Sequence, residues 1–225
     1  MAATSGFVFT FFNYDVAAQY AGAVAKGALI TVGTGLAVIV TGLVAGIVLA
    51  VFRACRNPVA TFLIVVFADV FRSLPPLVIL IVLYFGLPEA GLPLSSFFVT
   101  WFALSLVLAA YAEESVWAGI SSLPVGQMEA ARSTGLGWWQ AMGSVVLPQA
   151  LRRAVPTLTN RVISITKNTA LGSVVALNEM LNVAQGASSL SGNPTPLMMA
   201  AFAYVIIFLP FVVFSRWLEK HWVAG

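Results

Sequence analysis

The sequence predicts an all-α polytopic membrane protein with five transmembrane helices, its N-terminus outside and its C-terminus cytoplasmic. Three observations carry that expectation. Hydrophobic residues make up 60% of the 225 residues and charged residues only 8%, whereas soluble domains run near 25% charged. Apolar stretches near the roughly 20 residues that a helix needs to cross a bilayer recur along the chain. Lysine and arginine gather between particular stretches instead of spreading evenly.

The elements follow in chain order. Residues 1–21 are aromatic, with Phe7, Phe9, Phe11, Phe12, Tyr14 and Tyr20, and carry Asp15. They lack the basic n-region of a cleavable signal and read as an interfacial segment with rings at headgroup depth. Residues 22–225 read as a single transmembrane domain. Its first span is Gly22–Phe52, which holds the GxxxG pattern Gly42-Leu-Val-Ala-Gly46. Small residues let helices approach closely in lipid, and packing within one bundle is the simpler use. A short basic turn, Arg53-Ala-Cys-Arg56, comes next. Its Cys55 is the only cysteine, so no intrachain disulfide is possible.

Pro58–Leu87 is too long for one straight crossing, and Arg72-Ser-Leu-Pro75-Pro76 interrupts it. Two prolines kink or break a helix, which predicts one bent span or a span plus a re-entrant piece. Phe97–Gly119, roughly Val162–Leu181, and Leu197–Trp217 complete the set. Five spans put the termini on opposite sides. Arg53, Arg56, Arg132, Arg152, Arg153, Arg161, Arg216 and Lys220 then share one side, and Lys26 stands alone on the other. The positive-inside rule makes the first side cytoplasmic.

That leaves a polar cytoplasmic loop at about 120–160, punctuated by proline and glycine. Pro124 suits a first helical turn, Met128–Thr134 favours helix, and Gly135 suits a C-terminal cap. Glu129 sits where a negative charge complements the helix dipole. A second short helix is expected over Trp138–Val146, ending near Pro148. A structured polar loop of this kind reads as a docking element for a soluble partner.

Several function classes drop out. The sole histidine, His221, lies in the C-terminal tail, and a metal site needs more ligands than that. No catalytic cluster such as GxSxG or HExxH occurs. The basic residues sit at membrane edges and not on one face, so nucleic acid is not an expected partner. No GxxxxGK[ST] phosphate loop is present, so ATP cannot be handled by this chain.

Ordered sequence blocks carry a specific resemblance. Glu129-Ala130-Ala131, then Gly135, then Leu147-Pro148, resembles the EAA motif of bacterial ATP-binding-cassette (ABC) importer permeases. Phe71-Arg72-Ser-Leu-Pro75, Tyr84-Phe-Gly-Leu-Pro88, Ala112-Glu113, Leu123-Pro-x-Gly-Gln127, Leu147-Pro-Gln-Ala-Leu-Arg152 and Lys167-Asn-Thr169 resemble blocks of the polar amino acid permease family, in the same order. Two stretches depart from the family pattern. Glu113-Glu114-Ser-Val-Trp117-Ala-Gly119 stands where the family often has a basic residue and a Gly-Gly pair. Lys167-Asn168-Thr169-Ala170 stands for its Lys-Asp-Thr-Ser. Both bear on the substrate and not on the transporter class.

The resemblance implies a type I ABC importer permease fold in the bacterial inner membrane. It implies a coupling helix around Glu129, with Gly126, Gln127, Glu129, Ala130, Ala131, Gly135, Leu147 and Pro148 engaging the ATPase. Its implied partners are a cytoplasmic ATP-binding subunit dimer that holds ATP and Mg, a second permease subunit (identical or not), and a periplasmic solute-binding protein. The cargo would be a polar amino acid or close derivative, moved by alternating access. Ionisable residues inside spans are costly and mark pathways or pairs. Arg72, Glu113 and Lys167 are therefore candidates for the substrate path, with Asn168 and Thr169 offering uncharged hydrogen bonds beside Lys167, a substrate carboxylate met by Lys167 or Arg72 and an ammonium by Glu113. Asp69 and Arg72, three apart, could equally pair with each other. The chief rival is a secondary amino acid transporter driven by an ion gradient, which would usually show internal repeats; five spans do not halve.

Overall fold

In a computed structural model, the protein consists of helices and short linkers over the residues described, 2–223, with side chains described from Gly6 to Lys220 except Glu219. Met1 and residues 224–225, at the ends of the two expected segments, lie outside these, as does the side chain of His221. Ten α-helices follow in order: α1 Ala2–Phe11, α2 Tyr14–Ala54, α3 Pro58–Ser73, α4 Pro76–Glu89, α5 Ser96–Ser121, α6 Gly126–Ser133, α7 Trp138–Ala141, α8 Leu147–Lys167, α9 Met180–Ser191 and α10 Thr195–Val223. A π-helical turn, Met142–Val146, joins α7 to α8, and a 3-10 helix, Asn168–Val175, follows α8.

Local chemistry explains most boundaries. Asn13 starts α2 by accepting from Val16 N at 3.1 Å. Asn57 caps α3, its Oδ1 taking Val59 N and Ala60 N at 3.0 and 3.1 Å, with Pro58 in the first turn; a proline there sacrifices no intrahelical bond. The expected break falls between α3 and α4 at Leu74-Pro75. Gly135 follows α6 with φ +92°, a left-handed conformation that favours glycine.

Among the described residues, Gly6–Ala54, α5 and α10 are long and apolar enough to cross a bilayer, and α3 with α4 makes a fourth if counted as one broken span. At 41 residues, α2 is about 60 Å long by its rise per residue, twice the hydrocarbon thickness. It begins well before the expected Gly22. The fourth expected span, Val162–Leu181, is not one continuous helix. Instead α8 stops at Lys167, the chain tightens into the 3-10 helix, and Ala176 turns left-handed at φ 57°. The expected second loop helix is also different: α7 passes through the π turn directly into α8, so Pro148 lies in the start of α8 and does not end a separate short helix. Pro148 falls where the π turn has already shifted the hydrogen-bond register, Leu147 N donating to Met142 O, so its missing donor interrupts a ladder that is irregular there.

Contacts divide the chain into two compact units. The first comprises 1–37, 76–103 and 166–211; the second comprises 38–75, 104–165 and 212–225. In the first, Val24, Met180, Ala184 and Ala200 form a buried cluster with Leu197, Tyr204 and Ile207 packed around it. Glu179 is fully buried there and caps α9. Its carboxylate accepts from Asn182 N at 2.7 Å, Tyr204 OH at 2.7 Å and Thr31 Oγ1 at 3.4 Å. In the second unit, Ala50, Val116 and Ala154 form the core, with Ile47, Trp117, Leu151 and Leu158 against it. The GxxxG glycines face α5. A Cβ on Gly42 would lie 2.7 Å from Leu108, and one on Gly46 would lie 2.5 Å from Ala112. The pattern therefore serves packing within the bundle.

Candidate functional site

The segment carrying Glu129-Ala130-Ala131 lies wholly in the second unit. As an isolated eight-residue helix, α6 would be unstable in water; its neighbours hold it. Ala131 is buried, while Gly126, Gln127, Glu129 and Ala130 are exposed. The acid and the first alanine therefore point outward and the second alanine anchors. Gln149 donates to Gln127 Oε1 at 3.0 Å across to α8. Just before α6, Arg153 Nη1 donates to the Ser122 carbonyl at 2.7 Å and to its hydroxyl at 3.0 Å. One turn earlier Gly119 meets Ala150 so closely that an added Cβ would stand 2.5 Å from the Ala150 carbonyl oxygen. These three contacts fasten both flanks of α6, the end of α5 and the start of α8, to each other. Leu147 is half-buried against the core and Pro148 is exposed.

Beside α6 lies a cavity of about 640 Å³, lined among others by Cys55, Arg56, Trp117, Gln127, Glu129 and Trp138. Trp138 and Trp139 meet edge to face at 4.6 Å, and Trp139 also approaches Phe52.

The candidate path residues fall into two groups. Glu113 is fully buried, and Arg53 Nη1 donates to its two oxygens at 3.0 and 3.4 Å. Arg72 lies 3.1 Å from Glu114 and 3.8 Å from Asp69, so the expected Asp69–Arg72 pair forms but is the longer of its two. In the first unit, Lys167 is exposed at the end of α8, Asn168 is half-buried, and Thr169 is buried with its hydroxyl donating to the Thr166 carbonyl at 2.8 Å.

Two features escaped the sequence reading. Arg53, assigned to a basic turn, is the partner of Glu113; 60 positions separate them, and no local rule links them. The other is α8. Of its buried positions, Ala150, Ala154 and Ile165 lie on one face, while Arg153, Thr157, Asn160 and Ser164 are exposed at spacings of four, three and four. That is a helical polar stripe, legible as a 3.6-residue period but invisible to a search for continuous apolar runs.

A family model described as binding-protein-dependent transport system inner membrane component matches residues 42–223. The chain belongs to that family. It is 34% identical over 197 residues to the probable glutamine ABC transporter permease protein GlnP of Bacillus subtilis (strain 168), covering 86% of this chain and 90% of that one. It is 30% identical to the arginine transport system permease protein ArtQ of the same organism, over 87% of this chain and 90% of that one. The nopaline transport system permease protein NocM of Agrobacterium fabrum (strain C58 / ATCC 33970) is 34% identical, over 80% and 81%. Among solved structures, an amino acid ABC transporter crystallised with histidines superposes with a TM-score of 0.80 at 27% identity, covering 90% of this chain and 95% of that one. The MetNI methionine ABC transporter in an inward-facing conformation shares the fold, with a TM-score of 0.67 at 20% identity over 94% and 99%. Its relatives are permease subunits, so this family member is an inner membrane transport component and not an enzyme.

Proposed function

We propose that this chain is the permease subunit of an ATP-driven importer that carries polar amino acids or close derivatives across the bacterial inner membrane by alternating access. The observation that carries this reading is the mounting of α6. It exposes Glu129 and Ala130 for a partner, yet Gly119–Ala150, Ser122–Arg153 and Gln127–Gln149 bind its flanks into α5 and α8. A pull on α6 is therefore transmitted to long helices and not absorbed by a slack loop. The second permease, the cytoplasmic ATPase pair with its ATP and Mg, and the periplasmic binding protein complete the machine. N-terminus outside and C-terminus cytoplasmic is the orientation that brings α6 to the ATPase.

The cargo reading rests on chemistry that the relatives' named solutes share. Glutamine, arginine and nopaline all carry carboxylate and amine nitrogen. We assign the carboxylate to Lys167, exposed beside Asn168 and Thr169. The polar stripe of α8 supplies wetted wall, since charged and polar side chains inside a membrane are costly toward lipid and face the bundle interior or a water-filled cavity. Glu113 and Arg72, paired with Arg53 and Glu114 within the second unit, contribute through the charge of that unit and not by free contact.

Reconstitution with the cognate ATPase and binding protein tests this reading. Glu129→Ala is expected to lower uptake relative to ATP hydrolysed. Lys167→Met is expected to abolish uptake in a complex that still assembles; normal uptake by that variant would remove Lys167 from the path. Uptake that follows an ion gradient and ignores ATP would favour the secondary transporter instead.

A further inference from the structure

Five charged side chains of the second unit meet in one network with two unlike halves. The inner half is Arg53 with Glu113. Glu113 is 0% exposed and Arg53 is 15% exposed, at 3.0 Å, and the Arg53 guanidinium lies 4.6 Å from the centre of the Trp117 ring. The outer half is Arg72 with Glu114, 33% and 41% exposed at 3.1 Å, joined by Asp69 at 67% exposure and 3.8 Å. Glu114 belongs to both halves, because Arg53 also reaches it, at 3.5 Å. Removing one partner of a buried pair leaves an uncompensated charge and is costly, whereas the outer pair is open on one side and has less packing around it to break when it is remade. The network thus has a fixed part and a labile part.

Its hydrogen bonding is also incomplete. Nη1 of each arginine makes the contacts to the carboxylates, and the Nε of each is buried with no partner. A guanidinium beside a carboxylate ordinarily offers two parallel N–H groups, and buried donors without acceptors call for an explanation. One is that Glu114, stretched between two arginines, satisfies neither fully. Placement adds a reason. Arg53 stands in the last turn of α2, and Arg72 in the last turn of α3 just before the proline break. Glu114 stands two turns before the end of α5, the helix that leads to α6.

We propose that Glu114 is a shared counter-ion that changes hands during transport. In the conformation seen here it bridges Arg53 and Arg72. In the alternate conformation it leaves Arg72, and the end of α3 parts from α5 while Arg53–Glu113 stays made. Glu114 and Arg72 are then positioning residues for coupling. This rests on the transport reading above.

The test uses the full complex with ATPase and binding protein in proteoliposomes, and reads the ratio of binding-protein-stimulated to basal ATP hydrolysis. Glu114→Gln and Arg72→Gln should assemble at the wild-type yield. Each should change the ratio by about twofold or more. The double variant should match either single, since both remove the same interaction, and Glu114→Asp should restore most of the wild-type ratio. An unchanged ratio in Glu114→Gln overturns the proposal. So do losses that multiply in the double variant, or stimulated and basal rates that fall together with the yield of complex. A wild-type complex that the binding protein does not stimulate overturns the transport reading itself.

Discussion

Gly119→Ala is the sharpest perturbation of the proposed coupling path. The added methyl would stand 2.5 Å from the Ala150 carbonyl oxygen, 3.1 Å from its carbon and 3.4 Å from Cα. All three are backbone atoms, so no side chain can swing away. Optimal separation between nonbonded heavy atoms begins near 3.5 Å, so α5 and α8 must part by roughly 1 Å at this point. Overpacking of this kind costs about 1–3 kcal/mol. The displacement falls one turn from Ser122, whose carbonyl receives Arg153 at 2.7 Å; an added ångström would carry that bond past ordinary hydrogen-bond length. The loss should therefore appear in coupling as well as in stability. The assay compares uptake per ATP hydrolysed, with the thermal midpoint of the purified complex in detergent. The control is Gly33→Ala on α2, where an added Cβ meets nothing within 4 Å. Gly119→Ala should lower both the midpoint and the uptake-to-hydrolysis ratio, and Gly33→Ala should lower neither. Wild-type coupling in Gly119→Ala would refute the idea that close α5–α8 packing transmits the stroke.

Other outcomes follow from the same geometry. Arg53→Met strands the buried Glu113 carboxylate and should destabilise the complex by about 3–5 kcal/mol; Arg53→Met with Glu113→Gln should recover much of that, read as yield and thermal midpoint. Tyr204→Phe deletes the 2.7 Å donor to buried Glu179 and should cost about 1–3 kcal/mol, checked by the same melting assay. Arg153→Ala frees the Ser122 end of the α6 mount and should reduce uptake per ATP more than it reduces assembly. Cysteines at Thr157, Asn160 and Ser164 should react with a membrane-impermeant thiol reagent, whereas one at Ala154 should not.

Much of the fold could be read in the sequence because its signals were local. Pro75-Pro76 announced the break between α3 and α4. Continuous apolar runs located α5 and α10 to within a few residues at most ends. Gly135 marked the end of α6 because a left-handed backbone there favours glycine. The expected start at Pro58 coincides with the start of α3, where Asn57 supplies the local cap. The region 147–181 misled for a physical reason. A helix buried on one face and polar on the other has too little mean hydropathy to register as a span, so the apolar stretch past Lys167 stood in for it. The chain there stops, tightens and turns at Ala176. Of the candidate site, the Glu129 triplet was plain, but its mounting was not. Gly119–Ala150, Ser122–Arg153 and Arg53–Glu113 are long-range contacts, and no spacing rule announces them.

The central claim is that a partner's ATP hydrolysis drives solute through this permease by way of α6. The most direct measurement is uptake of labelled amino acids into proteoliposomes holding the complete complex, with ATP supplied on the ATPase side and all ion gradients collapsed. Accumulation that requires ATP and the binding protein, and that falls in Glu129→Ala while hydrolysis persists, is the expected result. Accumulation without ATP, or full accumulation in Glu129→Ala, would contradict it.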